Sequence, residues 1–236
     1  MAKRFIIDNA NICDNKLTIV GIDMNHINAL RHKVGDKIYV NEYEVQILQI
    51  SKEKIECLII GKMQAKGEPN INITLVQSYL KSDKMEYVVQ KAVELGVKEI
   101  LPAITKNTVV KFKEQDKLKK QERLQKIARE ALQQCGRTDN VNVEDICELS
   151  SIDWKKYDSI LICHELSAKP LKSVINSLKN KKNIAVIVGP EGGLDNTEVE
   201  KLLRESNTSD ISLGERILRA ETASLAIVSI LLYELD

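Results

Sequence analysis

The sequence predicts an α/β domain with a small all-β domain ahead of it. Residues 1 to about 66 are mostly short β-branched runs separated by turn residues. After residue 70 the rhythm changes to alternating strand and helix. Between them, residues 61–70 form a polar segment with Gly61, Gly67 and Pro69, the natural place for a boundary. The division expected is residues 1–68 and residues 69–236.

Composition sets the outer limits. A chain of 236 residues with 43% hydrophobic side chains has room for a substantial core. Thirty-five basic and 34 acidic residues leave a net charge of +1, so any nucleic-acid footprint has to be local. Cys13, Cys57, Cys135, Cys147 and Cys163 are scattered without a C-x-x-C pair. Buried thiols in a reducing compartment are expected, with neither a disulfide frame nor a metal site. An acid arrives at Asp8, too early for a signal peptide, and no apolar run approaches the roughly 20 residues of a membrane helix. A soluble cytoplasmic protein is expected.

In chain order, the runs at 4–7, 16–20, 37–40, 44–50 and 54–60 read as strands of a barrel or sandwich. A helical stretch at 24–33 interrupts them and carries His26, Arg31, His32 and Lys33. Its charges read as a solvated face, with phosphate contact as the alternative. Residues 71–79 read as a strand, then Ser82 or Asp83 caps a helix whose Met85, Val88, Val89, Ala92 and Val93 keep helical spacing. Gly96 is placed to stop it. A further strand begins at Glu99 and is closed by Pro102. Residues 116–135 make the clearest helix, striped by Leu124, Ile127, Ala128, Ala131, Leu132 and Cys135, with Gly136 at its C′ position. From Lys106 to Arg137 ten basic residues face four acidic ones, and a phosphate-facing surface is the second reading after a solvated one. Residues 159–163 form a buried strand ending at His164-Glu165, and Pro170 opens a short helix with Leu171, Val174, Ile175 and Leu178 inward. Asp195 and Glu198 pattern a capping box before Val199, Leu202 and Leu203. The last helix, 220–235, is apolar on nearly all sides, which suits a core or a homodimer interface.

The candidate site lies in two Gly-punctuated segments near the C-terminus. Ile184-Ala-Val-Ile-Val-Gly-Pro-Glu-Gly-Gly193 is a buried strand running into a tight loop, and Leu213-Gly-Glu-Arg-Ile-Leu-Arg-Ala-Glu-Thr222 enters the last helix. Strand ends that open on Gly-rich loops are common ligand sites in α/β proteins. The spacing excludes a dinucleotide G-x-G-x-x-G and a P-loop, and neither H-E-x-x-H nor G-x-S-x-G occurs. Residue pattern alone leaves the ligand open.

Those paired motifs resemble the signature of the RsmE family, bacterial methyltransferases of the SPOUT class that modify N3 of a uridine in 16S ribosomal RNA. Further similarity runs through His26, Leu30-Arg31, Gly35-Asp36, Lys84, residues 91–96, Arg123 and residues 127–137. The resemblance implies a PUA-like, RNA-binding β-barrel before a trefoil-knotted parallel sheet flanked by helices, acting as a homodimer on 16S ribosomal RNA or the small subunit. It implies S-adenosylmethionine held by Cys163, His164, Glu165, Gly189, Pro190, Glu191, Gly192, Gly193, Leu213, Gly214, Ile217, Leu218 and Thr222. RNA contacts would fall to Arg4, His26, Arg31, Lys33, Lys106 and Arg129. Uridine N3 must lose its proton, and either Glu191 as base or a cation such as Arg137 or Arg219 would assist. Glu191 could equally be a structural loop carboxylate, and Arg219 could pair with Glu221 or Glu215. Asn107 stands near a position where the family usually carries arginine. Another RNA target, a ribose hydroxyl or transfer RNA, and a catalytically silent RNA-binding module are the alternatives.

Overall fold

The structure is a computed structural model that describes residues 4–7, 10–62, 67–81 and 83–236, apart from the side chain of His26. Ser82, one candidate helix cap, lies outside the described residues. The chain divides into two compact units, residues 1–66 with 133–138 and residues 67–132 with 139–236.

The first unit is built on β1 (Arg4–Phe5), β2 (Asn11–Cys13), β3 (Lys16–Val20), α1 (Gly21–Ala29), β4 (Lys37–Val40), β5 (Tyr43–Ile50) and β6 (Lys54–Lys62). The strands form one six-stranded sheet in the order β1-β4-β5-β6-β3-β2. Alternation along each strand sends Leu17, Ile19, Ile38, Val40, Val45, Ile47 and Ile55 to a single apolar core shared with Phe5 and Ile27. Strand β2 was not anticipated; its residues are all exposed, so no apolar alternation marks it. The helix begins and ends earlier than the expected 24–33, running from Gly21 to Ala29. Arg31 takes φ +60°, which ends the helix and puts Arg31, His32 and Lys33 in a turn.

The second unit contains β7 (Asn72–Ser78), α2 (Asp83–Leu95), β8 (Glu99–Ile104), α3 (Glu114–Cys135), β9 (Asn142–Val143), β10 (Cys147–Glu148), β11 (Ser159–Cys163), α4 (Ile175–Leu178), β12 (Asn183–Val188), α5 (Asn196–Leu202), β13 (Thr208–Ile211) and α6 (Ala220–Leu235). All seven strands pair in parallel, in the order β10-β8-β7-β12-β11-β13 with β9 also on β8. The central strands are buried on both faces, as a helix-covered parallel sheet requires. Helix α6 packs on α2, β7 and β12. On the opposite face, Val199 and Leu202 of α5 join Val76, Ile160, Ile162, Ala185 and Ile187.

Several elements differ in detail from the sequence reading. Strand β8 does not stop at Pro102 but continues to Ile104. On its outer side β9 pairs with Glu99 and Ile100 and β10 with Ala103 and Ile104, so Pro102 sits in the gap and no ladder bond is lost there. The α3 stripe is narrower than its sequence suggests, because Ile127 is only half-buried and Cys135 is exposed. Leu203 likewise lies past the end of α5 and is exposed. Helix α6 buries Ser224, Ile227, Val228 and Leu231 but leaves Ile230 and Tyr233 in solvent, so it is not enclosed on every side. No described cysteine is in a disulfide; Cys57 is buried, Cys147 and Cys163 are half-buried, and Cys13 and Cys135 are exposed.

Behind the site, α6 is joined to the sheet by a polar contact in an otherwise apolar layer. The Ser224 hydroxyl faces Gln77 Oε1, while Gln77 Nε2 donates to the Ser78 carbonyl at 2.9 Å, and both side chains are fully buried. No described helix is long and apolar enough to cross a membrane.

Candidate cofactor cleft

Two loops leave the C-terminal ends of β12 and β13, the strands on either side of β11, and face each other across a cleft of about 520 Å³. The first follows β12. Its turn is closed by Gly193 N–H donating to the Pro190 carbonyl at 3.0 Å. Gly193 takes φ +71°, and a Cβ on it would lie 2.6 Å from Glu165 Oε1. Gly189 is almost as restricted, with Leu194 N 3.0 Å from where its Cβ would be. Gly192 is different: its nearest neighbour would be Asn107 Cβ at an ordinary 3.5 Å. Glycine is therefore favoured at 193 by its positive φ, since the Glu165 carboxylate can move aside, and at 189 by close backbone, whereas 192 has room.

The loop is tied down from outside by the turn after β8. Thr105 and Thr108 close that turn on themselves, presenting Lys106 and Asn107. Asn107 Nδ2 donates to the carbonyls of Gly192 (3.3 Å) and Gly193 (3.2 Å). Lys106 Nζ bonds Asp195 Oδ1 at 2.8 Å and also meets Thr197 Oγ1, while its N–H donates to Glu198 Oε1 at 3.0 Å. Asp195 and Glu198 form the capping box of α5. The Lys106 ammonium beside it, with the Thr197 hydroxyl, holds the Asp195 carboxyl down at about 2.

The second loop follows β13. His164 N–H donates to the Ile211 carbonyl at 3.0 Å, so the ends of β11 and β13 stay together. Ser212 Oγ accepts from Gly214 N–H at 3.2 Å, and Gly214 takes φ +123°. The chain then runs exposed through Glu215, Arg216 and Ile217 before Arg219 opens α6. Among the described residues, no protein acceptor takes the N–H of Leu213, Ile217 or Leu218.

Cys163, His164, Glu165, Gly189, Pro190, Glu191, Gly192, Gly193, Leu213, Gly214, Ile217, Leu218 and Arg219 all line the cleft. Thr222 does not. Ala220 and Ala223 share the inward face of α6, and Thr222 falls round the helix, over a shallower depression with Tyr87, Lys91 and Leu225. Burial pushes the Cys163 thiol up to about 12, which keeps it protonated and unreactive at neutral pH. Lys84 and Ala223 are cleft residues that the local pattern did not mark. Lys84 arrives through the β7–β12 pairing, which local periodicity does not reveal.

Glu191 Oε1 accepts the Lys81 N–H at 3.3 Å and lies 3.8 Å from Lys84 Nζ. Glu221 faces Lys84 too, at 3.4 Å, and not Arg219.

The remaining sequence candidates fall elsewhere. Arg137 does not line the cleft; it is 5% exposed and engaged within the protein. Arg4 is equally buried, with Nε donating to the Asn41 carbonyl (3.1 Å) and Nη2 to that of Thr138 (3.0 Å). A guanidinium held that way serves the fold and is withheld from solvent. Arg129 is half-buried with a protein partner, whereas Arg31 and Lys33 are exposed. The His26 side chain is outside the described residues.

An RNA methyltransferase domain model matches residues 67–232. The ribosomal RNA small subunit methyltransferase E of Bacillus subtilis is 31% identical over 232 residues, covering 93% of this chain and 90% of that one. Its namesake in Mesomycoplasma hyopneumoniae is also 31% identical, covering 96% and 97%. The chain belongs to the ribosomal RNA small subunit methyltransferase E family. Among solved structures, the methyltransferase E of Neisseria gonorrhoeae bound to S-adenosyl methionine superposes with a TM-score of 0.84 at 26% identity, covering 98% of this chain and 96% of that one. A methyltransferase of Legionella pneumophila in complex with the same cofactor gives 0.85 at 26% identity, covering 98% and 97%.

Proposed function

We propose that this member of the methyltransferase E family transfers a methyl group from S-adenosylmethionine to N3 of a uridine in 16S ribosomal RNA. The observation that carries the reading is the two-loop cleft at the strand ends, in a fold shared with a relative bound to that cofactor. The cleft suits the cofactor in three respects. Its volume falls within the range of small-molecule sites. Gly193 and Gly214, both at positive φ, let backbone approach a ligand closely. The amides of Leu213, Ile217 and Leu218 are donors without a protein acceptor, suited to adenine and ribose.

When bound, S-adenosylmethionine supplies an electrophilic methyl group. The chain has to orient the uridine for in-line attack and stabilise the charge left when N3 is deprotonated. Of the two candidate arginines, Arg219 lines the cleft and takes the second task. Glu191, fixed by the Lys81 amide and Lys84, holds the loop rather than the substrate.

The finer parts of the reading concern architecture. Residues 1–68 would form a PUA-like, RNA-binding barrel, and residues 69–236 a SPOUT domain knotted through its C-terminal loops. Two copies would meet at the apolar side of α6 that solvent now covers, around Ile230 and Tyr233, in the cytoplasm.

Calorimetry with S-adenosylmethionine is the first test, and absence of binding leaves only a silent RNA-binding module. Incubating the protein and cofactor with small ribosomal subunits from an unmodified strain, followed by mass spectrometry, locates the methyl group. A methyl on ribose would sink the N3 assignment.

A further inference from the structure

We infer that Asn107 is a positioning residue that presets the glycine loop for the cofactor from outside the cleft. The inference rests on the functional reading above and deepens it. Asn107 stands in the turn after β8 and does not line the cleft. Its Nδ2 donates to the carbonyls of Gly192 at 3.3 Å and Gly193 at 3.2 Å. With the amide turned the other way, Oδ1 would face two acceptors, so only this orientation makes hydrogen bonds. The turn is braced independently of the glycine loop. Thr105 N–H donates to Thr108 Oγ1 at 2.9 Å, and Thr108 N–H returns to the Thr105 carbonyl at 3.0 Å. Lys106 fastens the same turn to Asp195 and Glu198, the capping box of α5. Asn107 thus reaches the loop from a fixed base.

The two carbonyls belong to successive peptides, and Asn107 sets the plane of both. The peptide joining Gly192 to Gly193 is held at either end, its carbonyl by Asn107 and its N–H by the Pro190 carbonyl at 3.0 Å. The peptide joining Gly193 to Leu194 has only the first hold. It is trans, so its N–H points away from Asn107. That N–H belongs to Leu194, a cleft residue whose nitrogen lies 3.0 Å from where a Gly189 Cβ would be. Among the described residues no protein acceptor takes it, which leaves it as a donor fixed beside Gly189. Gly193 is the pivot between the two peptides, and glycine has more backbone freedom to lose than any other residue. Without Asn107 the loop spreads over several conformations, and the cofactor binds only the fraction already in shape. Asn107 raises that fraction.

The test uses the full-length protein, with S-adenosylmethionine affinity read by calorimetry and amide hydrogen exchange read without cofactor. N107A should bind the cofactor roughly fivefold more weakly, in keeping with the modest net worth of exposed hydrogen bonds, while its melting temperature stays near that of wild type. N107D keeps the shape of the side chain but sets a carboxylate against two carbonyls. Its affinity at neutral pH should fall further, by roughly twentyfold. Acidification should close part of that gap to wild type, because the protonated carboxyl regains a donor. In cofactor-free N107A the Gly193 amide should exchange about five times faster, while the amides of β7 and β12 keep their rates. Wild-type affinity in N107D overturns the inference, as do equal losses in the two variants at every pH, which would reduce Asn107 to packing. A Gly193 amide that exchanges alike in N107A and wild type overturns it too, whatever the affinities. Faster exchange in N107A alongside wild-type protein that binds no S-adenosylmethionine overturns the functional reading instead.

Discussion

The cleft and the basic segment around α3 are both rich in cations, yet their cations are in different states. Along the segment, Arg123 grips Glu86 with two bonds of 2.6 and 3.0 Å, Lys117 pairs with Glu114, and Lys106 with Asp195. Lys120 lies over the Tyr79 ring, and Arg129 and Arg137 have protein partners. Much of the excess positive charge counted from the sequence is therefore already answered. At the cleft the reverse holds: Lys84 meets Glu191 and Glu221, and among the described residues Arg216 and Arg219, which line the cleft, pair with no carboxylate. A tally of charges measures neither availability nor role; who stands beside each charge decides both.

The largest effect that would break this contrast is expected at Gly193. Gly193→Val places a branched side chain on Glu165 at positive φ, and should bring cofactor affinity below detection by calorimetry. Gly192→Ala, beside Asn107 only, should change affinity less than about tenfold, or roughly 1.4 kcal/mol. Equal losses would show that the loop fails as a whole rather than at one restricted position.

Next comes the support behind the cleft. Ser224→Ala removes the donor facing buried Gln77 and should cost about 1–3 kcal/mol in urea denaturation. An unchanged midpoint would mean that Gln77 finds another partner.

On the basic side, the salt dependence of RNA binding separates engaged from available charges. Lys126→Ala should lower the slope of log K against log salt by about one, while Arg123→Ala should leave it nearly unchanged. Identical slopes for the two variants would erase the distinction drawn here.

The smallest effect concerns Asp195. Its folded value, about 2, is below the ordinary 3.8, so its pairing stabilises the fold above 3.8 and the contribution fades as pH falls toward 2. Asp195→Asn should therefore lower the melting temperature slightly at pH 7, with the gap from wild type closing by pH 2. A gap that persists in acid would implicate the helix cap itself.

Much of the fold was legible because local physics dictated it. Strands 16–20 and 37–40 alternate, α3 carries a stripe and a glycine stop, and Asp195–Glu198 make a capping box in fact as in pattern. What escaped was decided at a distance. Pro102 is harmless only because β9 and β10 leave it a gap, and Arg31 is outside its helix because the chain turns there through positive φ. The paired glycine segments stood out as a site, yet Lys84 and Ala223 belong to it through packing of other helices. Thr222, inside the motif, points elsewhere because helical geometry outranks sequence adjacency. Asn107 looked like the loss of an arginine; it is the residue that laces the glycine loop in place.

One feature of the sheet bears on how such a molecule is made. Strand β12 lies between β7 and β11, both of which precede it in the chain, and its Asn183 meets Asn72 across 111 residues. A ribosome releases both neighbours before the strand that joins them, so the nascent sheet has its middle missing until residue 188 emerges. The glycine loop follows that strand directly. Cofactor binding is thus a property that the growing chain acquires near the end of synthesis, after a slow, long-range closure.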